Sequence, residues 1–484
     1  MGFTPFDYAV VALYLLGILG FGIWQRGKHQ TAQDYFVGRE SIPWWAVCFA
    51  IVSAETSALT VISIPGLAYL TNLNFLQLTF GYLLGRILVS MFLLPSYFKG
   101  ELSTAYAFLE TRFGAKTRRF ASIVFLLTRI AADGVRLFAT AIPLKLVMNI
   151  DYPLAIVILA LIALVYTYVG GVRGVIWVDA VQMVIYLGGA IIALVVMANS
   201  NAGGWSGITQ AAANAGKLQV FNLSFDGFFR QPYTLLAGLF GGAFLSMASH
   251  GADQLIVQRL LTTKSLASAR KALIGSGVII IFQFAVFLMV GILLFGYYDG
   301  ASVSSLGLSR ADEIFPKFII EGLPSGLSGL LIAGLLAAAL STLSGSVSAM
   351  SSSLVLDLYK PIFGAALSDE ATLKISRRVT VAIAGVLVLS AFFFMSTSQA
   401  VVELALSIAS FTYGGLLGTF LLGVLFKKTR QEDALAAFVA GILVMVTVIS
   451  LKLLAWTWFT FAGVVTTLAV GTLLSSLSRH DSAE

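Results

Sequence analysis

Between Ala338 and Ser353 the chain reads AALSTLSGSVSAMSSS, and half of these residues carry hydroxyls. The stretch continues an apolar run that begins near Leu327. On a helix Ser341, Ser344, Ser348 and Ser352 recur at steps of three and four and share one face. Such hydroxyls either bond to neighbouring helices and to their own carbonyls, the reading that suits Ser348 and Ser352, or hold a ligand. Ser341 and Thr342 are the ligand candidates. Na⁺ is a hard ion that takes oxygen, and neutral hydroxyls and backbone carbonyls can replace its water without locking it in. A second stretch, CFAIVSAETSALT from Cys48 to Thr60, offers the carbonyls. Ser53, Glu55, Thr56 and Ser57 make a small polar cluster in mid-span there. That pattern predicts locally unwound backbone, tolerated only where it faces protein or water. Carbonyls around Phe49 to Val52 and oxygens of the hydroxyl-rich segment can together make a five-oxygen cage for sodium.

Charged residues deep in apolar segments are costly and mark function or pairing. They are Glu55, Arg86, Arg129, Asp133, Arg136, Asp179 and Glu403. Arg86, Arg129 and Glu403 read as members of structural pairs. Asp133 and Arg136, three apart on one helix, either neutralise each other or meet a substrate. A second interrupted segment, LAGLFGGAFLSMASHGADQ from Leu236 to Gln254, holds three glycines and then Ser246, Ser249 and His250. The two interrupted segments stand second and seventh in the order of spans. Corresponding interrupted helices in two halves mark an inverted-repeat transporter with its site between them. This inference rests on spacing, since the residues themselves show no repeat.

The elements that must position these groups follow from composition. The chain has 484 residues, 58% hydrophobic and 11% charged, with 46 glycines that suit close helix contact in lipid. Apolar segments of bilayer-spanning length recur throughout, so the fold class is all-α and polytopic in a membrane. About thirteen transmembrane helices are predicted, at 6–25, 43–69, 74–97, 120–147, 152–169, 174–197, 233–255, 272–297, 325–356, 379–397, 401–426, 433–453 and 456–477. The first reads as a retained helix, because it lacks a basic stretch before it and a cleavage site after it. Basic residues cluster in alternate loops, among them Arg118, Arg119, Arg270, Lys271, Arg377, Arg378, Lys427 and Lys428. Positive-inside reasoning then places the N-terminus outside and the C-terminus in the cytoplasm of a plasma (inner) membrane. The formal charge of +7 is accounted for in this way and does not call for nucleic acid. Cys48 is the single cysteine, which excludes an intrachain disulfide. No GxxxxGK[ST] phosphate loop occurs, so uphill work must come from an ion gradient. Three histidines without an HExxH pattern argue against an enzyme. The tail after Leu477 is too short for the signalling domain of a sodium-responsive sensor, the competing class.

Several blocks in order resemble the sodium/solute symporter family over nearly the whole chain. They are DYFVGRESIPWWAV, AYAFLETRFG, GGVRGVIWVDAVQMVIYLGG, DQLIVQRLLTTKSLASARKA and AALSTLSGSVSAMSSSLVLDLYK. The resemblance implies a leucine-transporter-type core of two five-helix inverted repeats, 43–197 and 233–426. An extra N-terminal helix (6–25) and C-terminal helices (433–477) flank it. It implies sodium-driven import of a small-molecule substrate by alternating access, in the lipid bilayer and as a monomer. Carried over by motif, the sodium ligands are the carbonyls of Phe49, Val52 and Ala338 and the hydroxyls of Ser341 and Thr342. Some members hold a second sodium with the aspartate of the WVDAVQ block, here Asp179, and two serines. Ser344 matches the first serine and Gly345 stands at the second, which removes one oxygen; Asp179 and Ser344 then either hold a second sodium or orient Ser341 or Thr342 from behind. The sugar-transporting members carry Asn and Tyr where this chain has Ser246 and Ser249, and Gln where it has Thr56. A pocket so poor in amides suits hexoses badly. Its polar groups are Ser53, Glu55, Thr56, Asp133, Arg136, Ser246, Ser249, Gln283 and Thr412. An arginine fork suits a carboxylate, and sialic-acid-transporting members carry an arginine on this fourth span one turn before Arg136. The expected substrate is a small organic acid or zwitterion. Proton coupling through Glu55 or Asp179 is the alternative within the same fold.

Overall fold

The computed structural model describes residues 3–25, 31, 35–36, 42–99, 102–200, 204–363, 368–395 and 401–480. Every extended element among them is a helix, and the only pairing of strand type there is an isolated bridge between Ile42 and Thr263. α1 (Pro5–Trp24) starts on a capping box in which Thr4 and Asp7 satisfy each other's backbone, with Pro5 at its first position. α2 (Trp44–Glu55) and α3 (Ala58–Leu70) form one span bent by 58°. The bend has a local cause. Thr56 donates its hydroxyl to Val52 O at 2.7 Å, next to its own N–H at 2.9 Å, and the backbone leaves helical geometry there. α4 (Leu76–Phe92) follows, then α5 (Ala115–Met148). α6 (Tyr152–Val169) and α7 (Gly171–Ser200) meet at Gly171, whose φ of 58° is open to glycine and strained for other residues.

The second bent span is α8 (Gly242–Gly251), entered through a π-turn at Ala237–Gly241, and α9 (Gln254–Leu261). Asp253 sits at the break and caps α9 by accepting from Leu255 N at 2.8 Å. The remaining helices are α10 (Leu266–Tyr297), α11 (Leu327–Ser353), α12 (Asp369–Phe394), α13 (Val401–Leu425), α14 (Gln431–Ser450) and α15 (Phe459–His480). Among the described residues ten helices are long and apolar enough to cross a membrane, eleven if the bent α2–α3 pair is one span. Two of the thirteen predicted segments fall outside that set for physical reasons. α5 carries Arg129, Asp133 and Arg136 along its middle, and α8 and α9 are only 10 and 8 residues long.

α11 is the axis of the molecule. Its most apolar window, within Leu327–Phe363, is 94% buried, against 17% for the window of α1 at the periphery. It packs on α7, α5, α1 and α12. Its N-terminus is fixed by Asp7, whose Oδ1 accepts from Gly326 N at 2.7 Å and Gly329 N at 2.9 Å. α4 and α8 approach backbone to backbone: a Cβ on Gly81 would lie 2.2 Å from Gly238 O, and one on Gly85 2.3 Å from Ala243 O.

Candidate functional site

The unwound end of α2 lies against the middle of α11. Ser53 donates its hydroxyl to Ser341 Oγ at 2.9 Å, and both side chains are fully buried. Thr342 donates to Ala338 O at 3.1 Å. Val52 O accepts from Thr56, and Phe49 lies one turn earlier on α2, its ring edge-on to Trp45. Val52, Ala338, Ser341 and Thr342, together with Phe49, therefore occupy facing stretches of two packed helices. Every donor in this set is a neutral oxygen. Among the described residues no group of three or more His, Cys, Asp or Glu could hold a metal. The chemistry fits a hard monovalent cation and not a transition metal.

Asp179 on α7 sits beside Ser341. Its Oδ2 pairs with Arg259 Nη2 at 2.8 Å, and both side chains are buried. Ser344 donates to Ser341 O at 3.0 Å.

A cleft opens between the bent spans. Its polar wall is Glu55, Ser57, Arg129, Arg136, Ser249, His250 and Tyr413; Phe75, Tyr82 and Phe284 are its aromatic surface. A second, narrow cavity is lined by Ser57, Asp133, Arg136 and Thr342 among others. Ser57 and Arg136 belong to both walls, so the cleft and the smaller cavity, which Thr342 also lines, adjoin through them.

The charges of the cleft are mostly committed to one another. Arg86 is fully buried, pairs with Glu55, and donates to Ser276 Oγ at 3.2 Å. His250 Nε2 lies 3.5 Å from the same Glu55 oxygen. Arg129 donates to Asp253 Oδ2 at 2.6 Å, and Tyr413 donates to that oxygen at 2.5 Å. Asp133 accepts from Arg136 Nη1 at 2.9 Å and more distantly from Arg129 at 3.4 Å, while its Oδ2 is buried without a partner. Both arginines line the cleft, but the side chain of Arg136 keeps 17% exposure against 5% for Arg129.

Of the polar residues named from sequence, Glu55, Arg136 and Ser249 line the cleft and Asp133 lines the smaller cavity. Ser53 belongs to the α2–α11 junction. Thr56 accepts from Gln283 Nε2 at 2.6 Å, and Gln283 in turn accepts from Tyr186, a chain running behind the bend. Ser246 donates to Tyr82 O at 2.9 Å and so fastens α8 to α4. Thr412 shares a 2.6 Å hydrogen bond with Thr128. The side chain of Glu403 lies outside the described residues. His250, named with Ser246 and Ser249 in the second interrupted segment, lines the cleft, and so does Tyr413, one position from Thr412. A polar tip on an otherwise apolar face was the only signal for Tyr413.

The model of the Sodium:solute symporter family matches residues 35–441. The sodium/sialic acid symporter SiaT of Proteus mirabilis is 30% identical over 440 residues, 90% of this chain and 88% of that protein. The sodium-coupled monocarboxylate transporter 2 of Bos taurus is 28% identical over 91% of this chain and 72% of that one. Among solved structures, the substrate-bound outward-open state of a Na⁺-coupled sialic acid symporter superposes with a TM-score of 0.90 over 98% of each chain, at 28% identity. A nucleobase-cation-symport-1 family transporter, at 12% identity and a TM-score of 0.53, shares the fold. A helical chain with two bent spans, a neutral-oxygen junction and a charged cleft between them thus belongs to the sodium:solute symporter family, whose members are sodium-coupled membrane transporters.

Proposed function

We propose that the chain imports a small organic acid together with sodium, by alternating access around the cleft. Sodium binds the carbonyls of Phe49, Val52 and Ala338 and the hydroxyls of Ser341 and Thr342. The substrate carboxylate docks on the open face of Arg136, with Ser249 and the aromatic surface taking the rest of the molecule. One observation carries this reading: Arg136 and Ser57 stand in the walls of both cavities, and one of these cavities reaches Thr342. Sodium drawing α2 onto α11 would fix Ser57, just past the bend, and preform the wall that the substrate meets. Each ligand then raises the other's affinity by the same factor. The membrane potential contributes roughly 2.3 kcal/mol per sodium charge for each 100 mV. Relatives named for sialic acid and for monocarboxylates support the choice of an acid. Glu55 and Asp179 are both held by arginines, which favours sodium over proton coupling. The basic loops support an outside N-terminus and a cytoplasmic C-terminus, and the two bent spans are in keeping with repeats at 43–197 and 233–426.

The test uses purified protein in liposomes with an inward sodium gradient. N-acetylneuraminate, lactate and glucose serve as probes, and a thermal-shift screen is run with and without sodium. An acid should stabilise the protein only in sodium and should be taken up on the gradient. The double variant S341A/T342A should lose sodium-stimulated uptake while keeping its elution profile. Undiminished uptake in that variant would refute the sodium assignment, and stabilisation by glucose alone would refute the acid.

A further inference from the structure

A carboxylate buried beside a cation cage is a natural place for a second ion. Asp179 is such a carboxylate, yet the space next to it is filled. Arg259 reaches in from α9, donates Nη1 to Leu255 O at 2.7 Å, and sets Nη2 on Asp179 Oδ2 at 2.8 Å. The guanidinium fits because residue 345 is glycine. A Cβ at Gly345 would lie 2.3 Å from Arg259 Nη2, so any side chain there would push the arginine out. Asp179 Oδ1 is buried without a hydrogen-bond partner, its charge met by the same guanidinium, while the serine oxygens nearby are engaged. Ser341 Oγ accepts from Ser53, and Ser344 donates to the carbonyl of Ser341. Arginine keeps its charge at every accessible pH, so it stands here as a permanent cation.

We infer that Arg259, admitted by Gly345, is a tethered cation that takes the place of a second sodium at Asp179. The chain therefore binds a single sodium, at the α2–α11 junction. Asp179 is a positioning residue: neutralised by Arg259, it holds Ser341 and ties α9, the inner half of the second bent span, to the sodium-bearing helix. This inference deepens the proposed function and rests on its sodium site. A free sodium beside the guanidinium would meet a like charge in a low-dielectric interior, with no uncompensated carboxylate to offset it.

The experiment is equilibrium binding of radioactive sodium, without substrate, to the purified full chain. The wild type should saturate at a single ion per chain with a Hill coefficient near unity. R259Q removes the tethered charge and should admit another ion, so binding saturates at twice the wild-type level with a Hill coefficient above unity. D179N/R259Q, which removes both charges of the pair, should return to the wild-type level. Because deleting one member of a buried pair can unfold a chain, the wild-type stoichiometry and the double variant stand independently of R259Q. Wild-type binding of two ions, halved by D179N, would overturn the inference and leave the sodium site of the proposed function intact. So would folded R259Q that still binds one. Loss of the single wild-type ion in S341A/T342A supports the site on which the inference rests. Wild-type protein that binds no sodium would overturn that site and the inference together.

Discussion

At the scale of single residues, Arg129 and Arg136 both line the cleft but differ in how far each is already paired. Arg129 spends its guanidinium on Asp253 and Asp133, while Arg136 makes one bond to Asp133 and stays open. A charged hydrogen bond contributes about 1.5–3 kcal/mol, so Arg136→Ala should weaken acid binding in sodium by roughly 10- to 150-fold. Arg136→Lys should recover little of this, because lysine lacks the planar fork that matches a carboxylate. Titration of the acid that the screen identifies reads both, and unchanged affinity in Arg136→Ala would remove this arginine from the site. Arg86 answers to a different physics. Removing one partner of a buried pair costs about 3–5 kcal/mol, so Arg86→Met should lower the melting temperature more than the joint E55Q/R86M change. Equal losses would mean that the pair does not act as a unit. These roles were only half readable in the sequence. Residue type showed that charges lie at depth, but which arginine is paired depends on Asp253 from a distant helix.

At the scale of elements, both bends were readable because each is written locally. Thr56 competes for its own backbone beside Ser57 and Ser53, and Gly251 and Asp253 flank the second break. The hydroxyl face of α11 was readable from its three- and four-residue steps. Partners across helices were not. The sequence gives Gly81, Gly85 and Gly242 the same meaning as any other small residue, whereas the structure makes them the seam of α4 and α8. Thr56, Ser246 and Thr412 show the same limit: their polarity was visible, but Gln283, Tyr82 O and Thr128, which engage them, became visible only in three dimensions. The seam yields a prediction. Gly85→Val places a branched side chain where a Cβ alone would already lie 2.3 Å from Ala243 O. No flexible side chain stands at that point to give way, so the helices must part. Overpacking costs typically 1–3 kcal/mol even in adaptable cores, and here backbone opposes backbone. The variant should lose most of its monodisperse yield in detergent. Gly188→Val, at a glycine whose Cβ would meet nothing within 4 Å, should not.

At the scale of the whole molecule, alternating access requires α2 and α9, the two short halves that start or end at the bends, to move against the long helices. Two ties oppose that motion. Sodium would join α2 to α11, and the cluster of Arg129, Asp253 and Tyr413 joins α9 to α5 and α13. The single cysteine reports on movement of α2, the helix that the first tie holds. Cys48 lies on α2, buried against Gly275 of α10, and cannot react while that seam is closed. If opening requires sodium to leave, the open fraction falls by the factor one plus the ratio of sodium concentration to its dissociation constant. Alkylation by N-ethylmaleimide should then slow by about tenfold when sodium is held near ten times that constant, with choline as the comparison salt. S341A/T342A should abolish the protection, because the ion would have nothing to hold. Asp253→Asn should speed the reaction in both salts, because it loosens the second tie without touching the first. A rate that ignores sodium in the wild type but responds to Asp253→Asn would locate the moving part in α9 alone. The sodium-bearing helix would then be a fixed frame, and coupling would have to pass through Asp179 and Arg259.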